Sequence, residues 1–287
     1  MASKVSLPDS RTLSYVLDEA PKDGPIVLLS NSLCAPFGAW DPFVKILNSN
    51  GFRTLRYDQV GHGQSSSPKE LSTTTFESMA DDVYSLLQAL NISSLHGWVG
   101  VSMGAAKGVC FVSKYPKIVR KLVICDTISG SPINLGGADV FGPRVAAARE
   151  VGNLEDAIQS TLDRWFGKTW LEENPKEAAR VRDVMRGTTL DGFEACCHAL
   201  RSSSFDLRPI LKDVGSSVED AFCVVGEKDA NLPQTMDEMR KAIEAGFRAS
   251  GKDNSIRLEV IKNAGHVCFI DGLEQFSETV VPWLKQN

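Results

Sequence analysis

Leu95-His96-Gly97-Trp98-Val99-Gly100-Val101-Ser102-Met103-Gly104 is the stretch that decides how this chain folds. Leu95 to Val99 is short and apolar enough to be a buried strand. Ala105 to Lys114, rich in small and apolar residues, reads as a helix ending before Tyr115-Pro116. Strand, G-x-S-x-G and helix in that order make a nucleophile elbow. The turn is so tight that the serine backbone is strained, and glycine leaves room for strand and helix to cross closely. A bare G-x-S-x-G arises by chance about 0.2 times at this glycine and serine content, so the flanking elements give the string its weight.

Working outward, apolar strand candidates recur with helical segments between them, the pattern of a parallel sheet covered on both faces. Thr12 to Leu17 reads as an early hairpin strand, and Ile26 to Ser30 and Phe52 to Tyr57 as central strands. Lys121 to Asp126, Ala221 to Gly226 and Ile256 to Ile261 complete the set. Phe76, Met79, Ala80, Val83, Leu86, Leu87 and Leu90 fall at helical spacing, with Thr74 and Glu77 as a capping box. From about Ile128 to Pro209 the strand rhythm stops, and the span is helical in character. The expected fold class is therefore α/β, a mostly parallel central sheet flanked by helices. Residues 1–127 and 210–287 form the core, and 128–209 a helical cap or lid. Gly246 to Asn254 is polar and reads as a surface loop.

The 287 residues are 43% hydrophobic, enough to bury one large core. A net charge of -5 and the lack of any basic run argue against nucleic acid and anionic membranes as partners. No signal-peptide pattern or membrane-length apolar stretch is present, and the seven cysteines lack C-x-x-C spacing. The expectation is buried thiols, no metal, and a soluble cytoplasmic protein, with a homodimer left open.

A serine hydroxyl needs a base to act as a nucleophile at neutral pH, and the base needs an orienting acid. The chain order expected for this elbow is serine, acid, histidine. His62 and His96 precede Ser102, and His198 lies in the expected cap. His266, in Asn263-Ala264-Gly265-His266, directly follows the last strand. For the acid, Asp229 follows the preceding strand, while Asp126 also ends a strand and stays an alternative. Glu227 reads as a solvated loop residue. Ser102 is thus the expected nucleophile, His266 the base and Asp229 its partner. Plainer readings are a small residue in a tight turn for Ser102 and a loop histidine for His266. Attack on a carbonyl creates an oxyanion needing two donors, and the N–H groups of Met103 and Leu33 are the expected ones. Cys34 reads as a small turn residue or a pocket thiol, and His62 as a loop-stabilising residue.

These motifs resemble the α/β-hydrolase superfamily, and within it the 3-oxoadipate enol-lactonases. Leu29-Ser-Asn-Ser-Leu33 with Trp40-Asp41-Pro42, Arg56 to Ser65, the elbow and Val225 to Asp229 carry the likeness. Two cap stretches add to it: Trp165-Phe166 through Arg182, and Gly192 to Arg201 with Phe205 to Pro209. The resemblance implies an α/β-hydrolase fold and opening of a small-molecule lactone or ester through an acyl-enzyme, without metal or organic cofactor. Where that family usually has Gly and Arg, this chain has Cys34 and Val60, which removes a positive charge near the site. Ala105 replaces a common second glycine. Cys34, Trp165 and Arg201 are the expected pocket residues. Arg201 and Arg208 are each read as a substrate-carboxylate partner or an internal ion pair.

The same triad also serves C–C bond hydrolysis and lyase or isomerase reactions of secondary-metabolic intermediates, and a retained triad can sit in a non-catalytic ligand receptor.

Overall fold

The computed structural model describes residues 2–18 and 21–286. Eight strands among the described residues form one sheet: β1 (Ser3–Ser6), β2 (Thr12–Leu17), β3 (Ile26–Ser30), β4 (Arg53–Tyr57), β5 (Leu95–Val101), β6 (Val119–Cys125), β7 (Asp220–Gly226) and β8 (Arg257–Ile261). Their order is β1-β2-β4-β3-β5-β6-β7-β8. The β1–β2 and β2–β4 pairs are antiparallel, and every pair from β4 onward is parallel. β5 is central, pairing Ser30 with Gly100 on one side and Val101 with Cys125 on the other. Helices cover both of its faces, so its residues are apolar in succession rather than in alternation. Trp98, Val99, Leu28 and Val123 are fully buried there. Burial of each of these valine and leucine side chains contributes roughly 1.5–3 kcal/mol.

The helices are α1 (Asp41–Ser49), α2 (Phe76–Ala89), α3 (Met103–Lys114), α4 (Gly142–Val151), α5 (Glu155–Glu173), α6 (Pro175–Met185), α7 (Leu190–Arg201), α8 (Asp213–Ser217), α9 (Leu232–Ala249), α10 (Cys268–Asp271) and α11 (Leu273–Lys285). α1 packs on α11, while α2, α3, α8 and α9 form a second group of touching helices. The capping box of α2 sits one residue later than the sequence suggests. Thr75, extended at φ -132°, accepts from the Ser78 N–H at 3.0 Å, and Ser78 Oγ accepts from the Thr75 N–H at 2.9 Å. A serine hydroxyl at the third helical position serves as well as a glutamate there. Gly246 to Asn254 is not wholly a loop either. α9 continues to Ala249, because the bare face of Gly246 lets the helix press against Lys212, whose carbonyl oxygen would lie 2.1 Å from a Cβ.

Residues 128–209 contain α4 to α7 and, among the described residues, no sheet strand. Main-chain bonds close this insertion on itself and tie it to the loop after β4. Ser131 N–H donates to Phe205 O at 2.8 Å and Leu207 N–H to Ser129 O at 2.7 Å, closing its neck. Gly63 N–H donates to Gly187 O at 2.8 Å and Thr189 N–H to Gly61 O at 2.9 Å. No helix among the described residues is long and apolar enough to cross a membrane. Among the same residues the seven cysteines are unpaired, and all but Cys110 are buried.

Candidate active site

Ser102 stands at the tip between β5 and α3 with φ 53° and ψ -117°. A non-glycine residue there stores about 1–3 kcal/mol of strain. Two glycines make the geometry available. A Cβ on Gly100 would lie 2.3 Å from Gly104 O, and one on Gly104 would lie 2.0 Å from Ser30 O. The tip is held by the Ser102 N–H, which donates to Cys125 O at 2.9 Å, while its carbonyl accepts from Ala105 and Ala106 as α3 begins. The N–H of Met103 is then a first-turn donor with no partner inside the helix.

His266 and Asp229 arrive on the loops that follow β8 and β7, and those loops are bonded to each other. Lys228 N–H donates to Ala264 O at 2.8 Å and Glu227 N–H to Ile261 O at 2.9 Å. His266 Nδ1 and Asp229 Oδ2 lie 2.7 Å apart, both side chains almost fully buried. With Nδ1–H donating to the carboxylate, Nε2 is left as the acceptor. Burial pushes the His266 imidazole below the usual histidine value, although the Asp229 carboxylate pulls the other way. The ring is therefore neutral near pH 7, as a base must be.

Asp126 occupies a different place. Its Oδ1 accepts the Gly226 N–H at 2.7 Å, tying the end of β6 to β7, and its other oxygen is buried without a partner. Burial and the nearby Asp229 charge raise this carboxyl well above the usual range. It straps β6 to β7, and the histidine bonds Asp229 instead. The other histidines also have structural partners. His96 Nε2 bonds Leu284 O at 2.7 Å, His198 lies 3.6 Å from Glu194, and His62 Nδ1 donates to Val60 O at 2.8 Å. Fully buried His62 is pushed down to about 4, so its Nε2 is free to accept the Cys34 N–H at 3.0 Å.

Ser102 and His266 open onto a cavity of about 710 Å³, which Leu33 and Met103 also line. Ile128, Phe141, Leu200 and Phe205 make much of its wall apolar. The three pocket residues expected from the sequence lie elsewhere. Cys34 is fully buried in its turn at φ 61°, with its thiol pushed up to about 12 by burial. Trp165 packs behind the histidine, with ring centroids 6.0 Å apart, and faces a separate crevice. Arg201 pairs with Asp139, and Arg208 with Asp206 at 2.7 Å. Each of these arginines has a carboxylate within reach across a short turn or helix gap, which satisfies it internally.

Two residues that sequence reasoning missed line the cavity instead, Arg144 of α4 and Arg164 of α5. Arg144 donates to Thr161 Oγ1 at 2.6 Å and lies over the Phe193 ring at 5.7 Å. Among the described residues neither guanidinium has a carboxylate in hydrogen-bond reach. Arg164 lines the cavity with part of its side chain exposed, and desolvation together with Arg144 pulls it below the usual arginine value. Two unneutralised cations facing one cavity repel each other, and an anion between them would relieve both.

α5 is broken at Gly167, where φ 74° and ψ 157° interrupt the helix and free a carbonyl two residues earlier. That carbonyl, Trp165 O, accepts the backbone N–H of His266 at 3.0 Å. Among the described residues no group of three or more His, Cys, Asp or Glu is placed to hold a metal ion.

The family model for the alpha/beta hydrolase fold matches residues 25–273. 3-oxoadipate enol-lactonase 1 of Acinetobacter baylyi is 30% identical over 208 residues, 71% of this chain and 72% of that protein. A 2-(acetamidomethylene)succinate hydrolase of Mesorhizobium japonicum is 28% identical over 205 residues, 68% of this chain and 69% of its own length. The crystal structure of the enol-lactonase from Burkholderia xenovorans LB400 superimposes with a TM-score of 0.83 at 29% identity, covering 99% of this chain and all of that one. With the family model matched over residues 25–273, this chain belongs to the alpha/beta hydrolase fold family.

Proposed function

We propose that this protein is a serine hydrolase that opens a lactone or cleaves an ester whose acyl or leaving portion carries a carboxylate. The observation that carries the reading is the His266–Asp229 bond at 2.7 Å beside a strained serine that opens on the same cavity. His266 Nε2 takes the Ser102 proton as Oγ adds to the carbonyl carbon, and Asp229 stabilises the imidazolium that forms. The oxyanion is met by the N–H groups of Met103 and Leu33, each worth about 3 kcal/mol of barrier in comparable enzymes. The imidazolium then protonates the leaving oxygen. Water, deprotonated by the same ring, releases the acid from Ser102. A lactone gives one ring-opened product, whereas an open ester gives two.

Arg144 and Arg164 support the carboxylate. A charge-assisted bond from each suits a carboxylate held away from the reacting carbonyl. The names of two relatives, built on 3-oxoadipate and on succinate, agree with such a group. The test is turnover of p-nitrophenyl acetate and of a lactone panel, with intact-mass detection of an acyl adduct on Ser102 in a His266→Ala background. A trapped adduct and sustained wild-type turnover are expected. One equivalent of product without further turnover would instead favour a receptor, and hydrolysis surviving in Ser102→Ala would end the serine mechanism.

A further inference from the structure

Lys107 lies on α3, one turn beyond Met103, and is fully buried. Among the described residues its ammonium has no carboxylate partner. Nζ donates to the Tyr57 hydroxyl at 2.8 Å and to Gln59 Oε1 at 2.9 Å, and sits 4.9 Å from the Tyr57 ring centre. Asp82 is the carboxylate in its surroundings, and that group is occupied by Arg11 through two bonds of 2.6 and 2.7 Å. An ammonium left in the interior without a counter-ion is costly, and a methionine would fill the same slot. What the cation touches suggests why it is there.

Gln59 passes the contact on. Its Nε2 donates to Ser32 O at 3.0 Å. Ser32 O and Leu33 N–H belong to one planar trans peptide, so a donor on the oxygen side fixes where the N–H points on the other. It also draws electron density toward that oxygen, which makes the N–H a stronger donor, and a cation behind the amide adds to the effect. The next peptide is held as well, because Cys34 N–H is taken by His62 Nε2 at 3.0 Å.

We propose that Lys107 is a positioning residue which, through Gln59, orients and polarises the Ser32–Leu33 peptide as an oxyanion donor. The inference rests on the serine-hydrolase reading above. It ties both donors to one helix, since α3 supplies the Met103 N–H at its start and the Lys107 cation one turn later.

The titratable groups around Lys107 are Asp82 of α2, Tyr57 of β4, His62 in the loop after β4, and Cys196 of α7. Tyr57 is pushed up by burial and Cys196 to about 12, so both stay protonated, while His62 at about 4 stays neutral. Asp82, held by Arg11, is raised by burial. Lys107 itself is brought down to about 8 by burial. The relay is therefore charged below that pH and neutral above it.

The test measures kcat, KM and melting temperature for Lys107→Met, Gln59→Leu and the double variant on a p-nitrophenyl ester from pH 6 to 9.5. For Lys107→Met the expected result is a kcat loss of about tenfold, KM within about twofold, and a melting temperature equal to or above wild type. The wild-type fall in kcat as pH rises through about 8 should vanish in this variant. Gln59→Leu should match it, and the double variant should lose no more than either single, because both act on one peptide. Wild-type kcat in a folded Lys107→Met, additive losses, or a retained alkaline fall would each overturn the proposal. Should Lys107→Met fail to fold, Gln59→Leu carries the same kcat and pH outcomes alone. Activity surviving in Ser102→Ala would sink the hydrolase reading itself, whereas an inactive Ser102→Ala beside a fully active Lys107→Met would sink only this inference.

Discussion

The cavity has two makers that work by different rules. Its floor comes from the ends of parallel strands, where tight loops after β3, β5, β7 and β8 deliver Leu33, Ser102, Asp229 and His266. Its wall comes from α4, α5, α7 and the loops of the insertion, whose side chains face the cavity only because of how those helices are packed. Strand ends fix position through backbone geometry, with Ser102 at φ 53° and two glycines that admit no Cβ. The wall fixes charge, with two guanidinium groups that no carboxylate among the described residues neutralises. On the proposed function, the difference teaches that reaction and substrate choice would be held by separable parts of the molecule, joined at the histidine.

That separation can be broken or sharpened by experiment. The largest effect belongs to the floor. Ser102→Ala should lose at least ~10³-fold in turnover on every ester tried, because the triad acts as a unit. Near-normal rates would remove the floor from the chemistry. Asp229→Asn should also cost on the order of 10³-fold, since it loses the charge that orients His266 Nδ1–H. Asp126→Asn should cost less than about tenfold, because an amide oxygen still accepts the Gly226 N–H. A reversal of these two, in steady-state rates at pH 7.5, would exchange the acids.

The wall should behave differently. Arg144→Ala or Arg164→Ala should lower kcat/KM by roughly 10- to 100-fold for a carboxylate-bearing ester and by less than about twofold for its methyl-capped analogue. Equal losses on both would show that the arginines serve structure instead of choice. The junction comes next. Gly265→Ala would place a Cβ 1.9 Å from Trp165 O, so it should cost a few-fold in kcat and lower the melting temperature. The smallest effect crosses from wall to floor. Activity should rise with pH as His266 loses its proton, with a midpoint below the usual histidine value. Arg164 is one of the charges that lowers it, so Arg164→Ala should move the midpoint up by a fraction of a pH unit. A downward move would contradict the assigned neighbourhood.

The floor was legible in the sequence because its signals are local. G-x-S-x-G between an apolar strand and a small-residue helix marks one turn, and His266 follows the last strand at once. Asp126 and Asp229 both follow strands, and only the direction of each side chain separates them, which depends on tertiary packing. The wall was not legible. What singles out Arg144 and Arg164 is a missing partner, and sequence gives only a weak hint of it. Neither has an acid three or four residues away on its helix, unlike Arg180 with Glu177 or Arg240 with Asp237 and Glu244. Arg149 passes the same filter and yet finds Asp191 and Glu194 on α7. Contacts between helices decide the matter. Lys107 lay between the two cases, a lone charge in Ala105-Ala-Lys-Gly-Val109 whose meaning depended on Gln59 arriving from another loop.

The bond between Trp165 O and the His266 N–H has a consequence for how such a molecule can change over generations. Every amino acid supplies a carbonyl, so this junction survives replacement of the side chain at position 165 as long as the break at Gly167 persists. Inheritance can therefore rewrite the insertion's inward-facing residues while the histidine keeps its backbone anchor. Arg144 and Arg164 are the rewritable letters of that arrangement, and the carbonyl is the binding of the book.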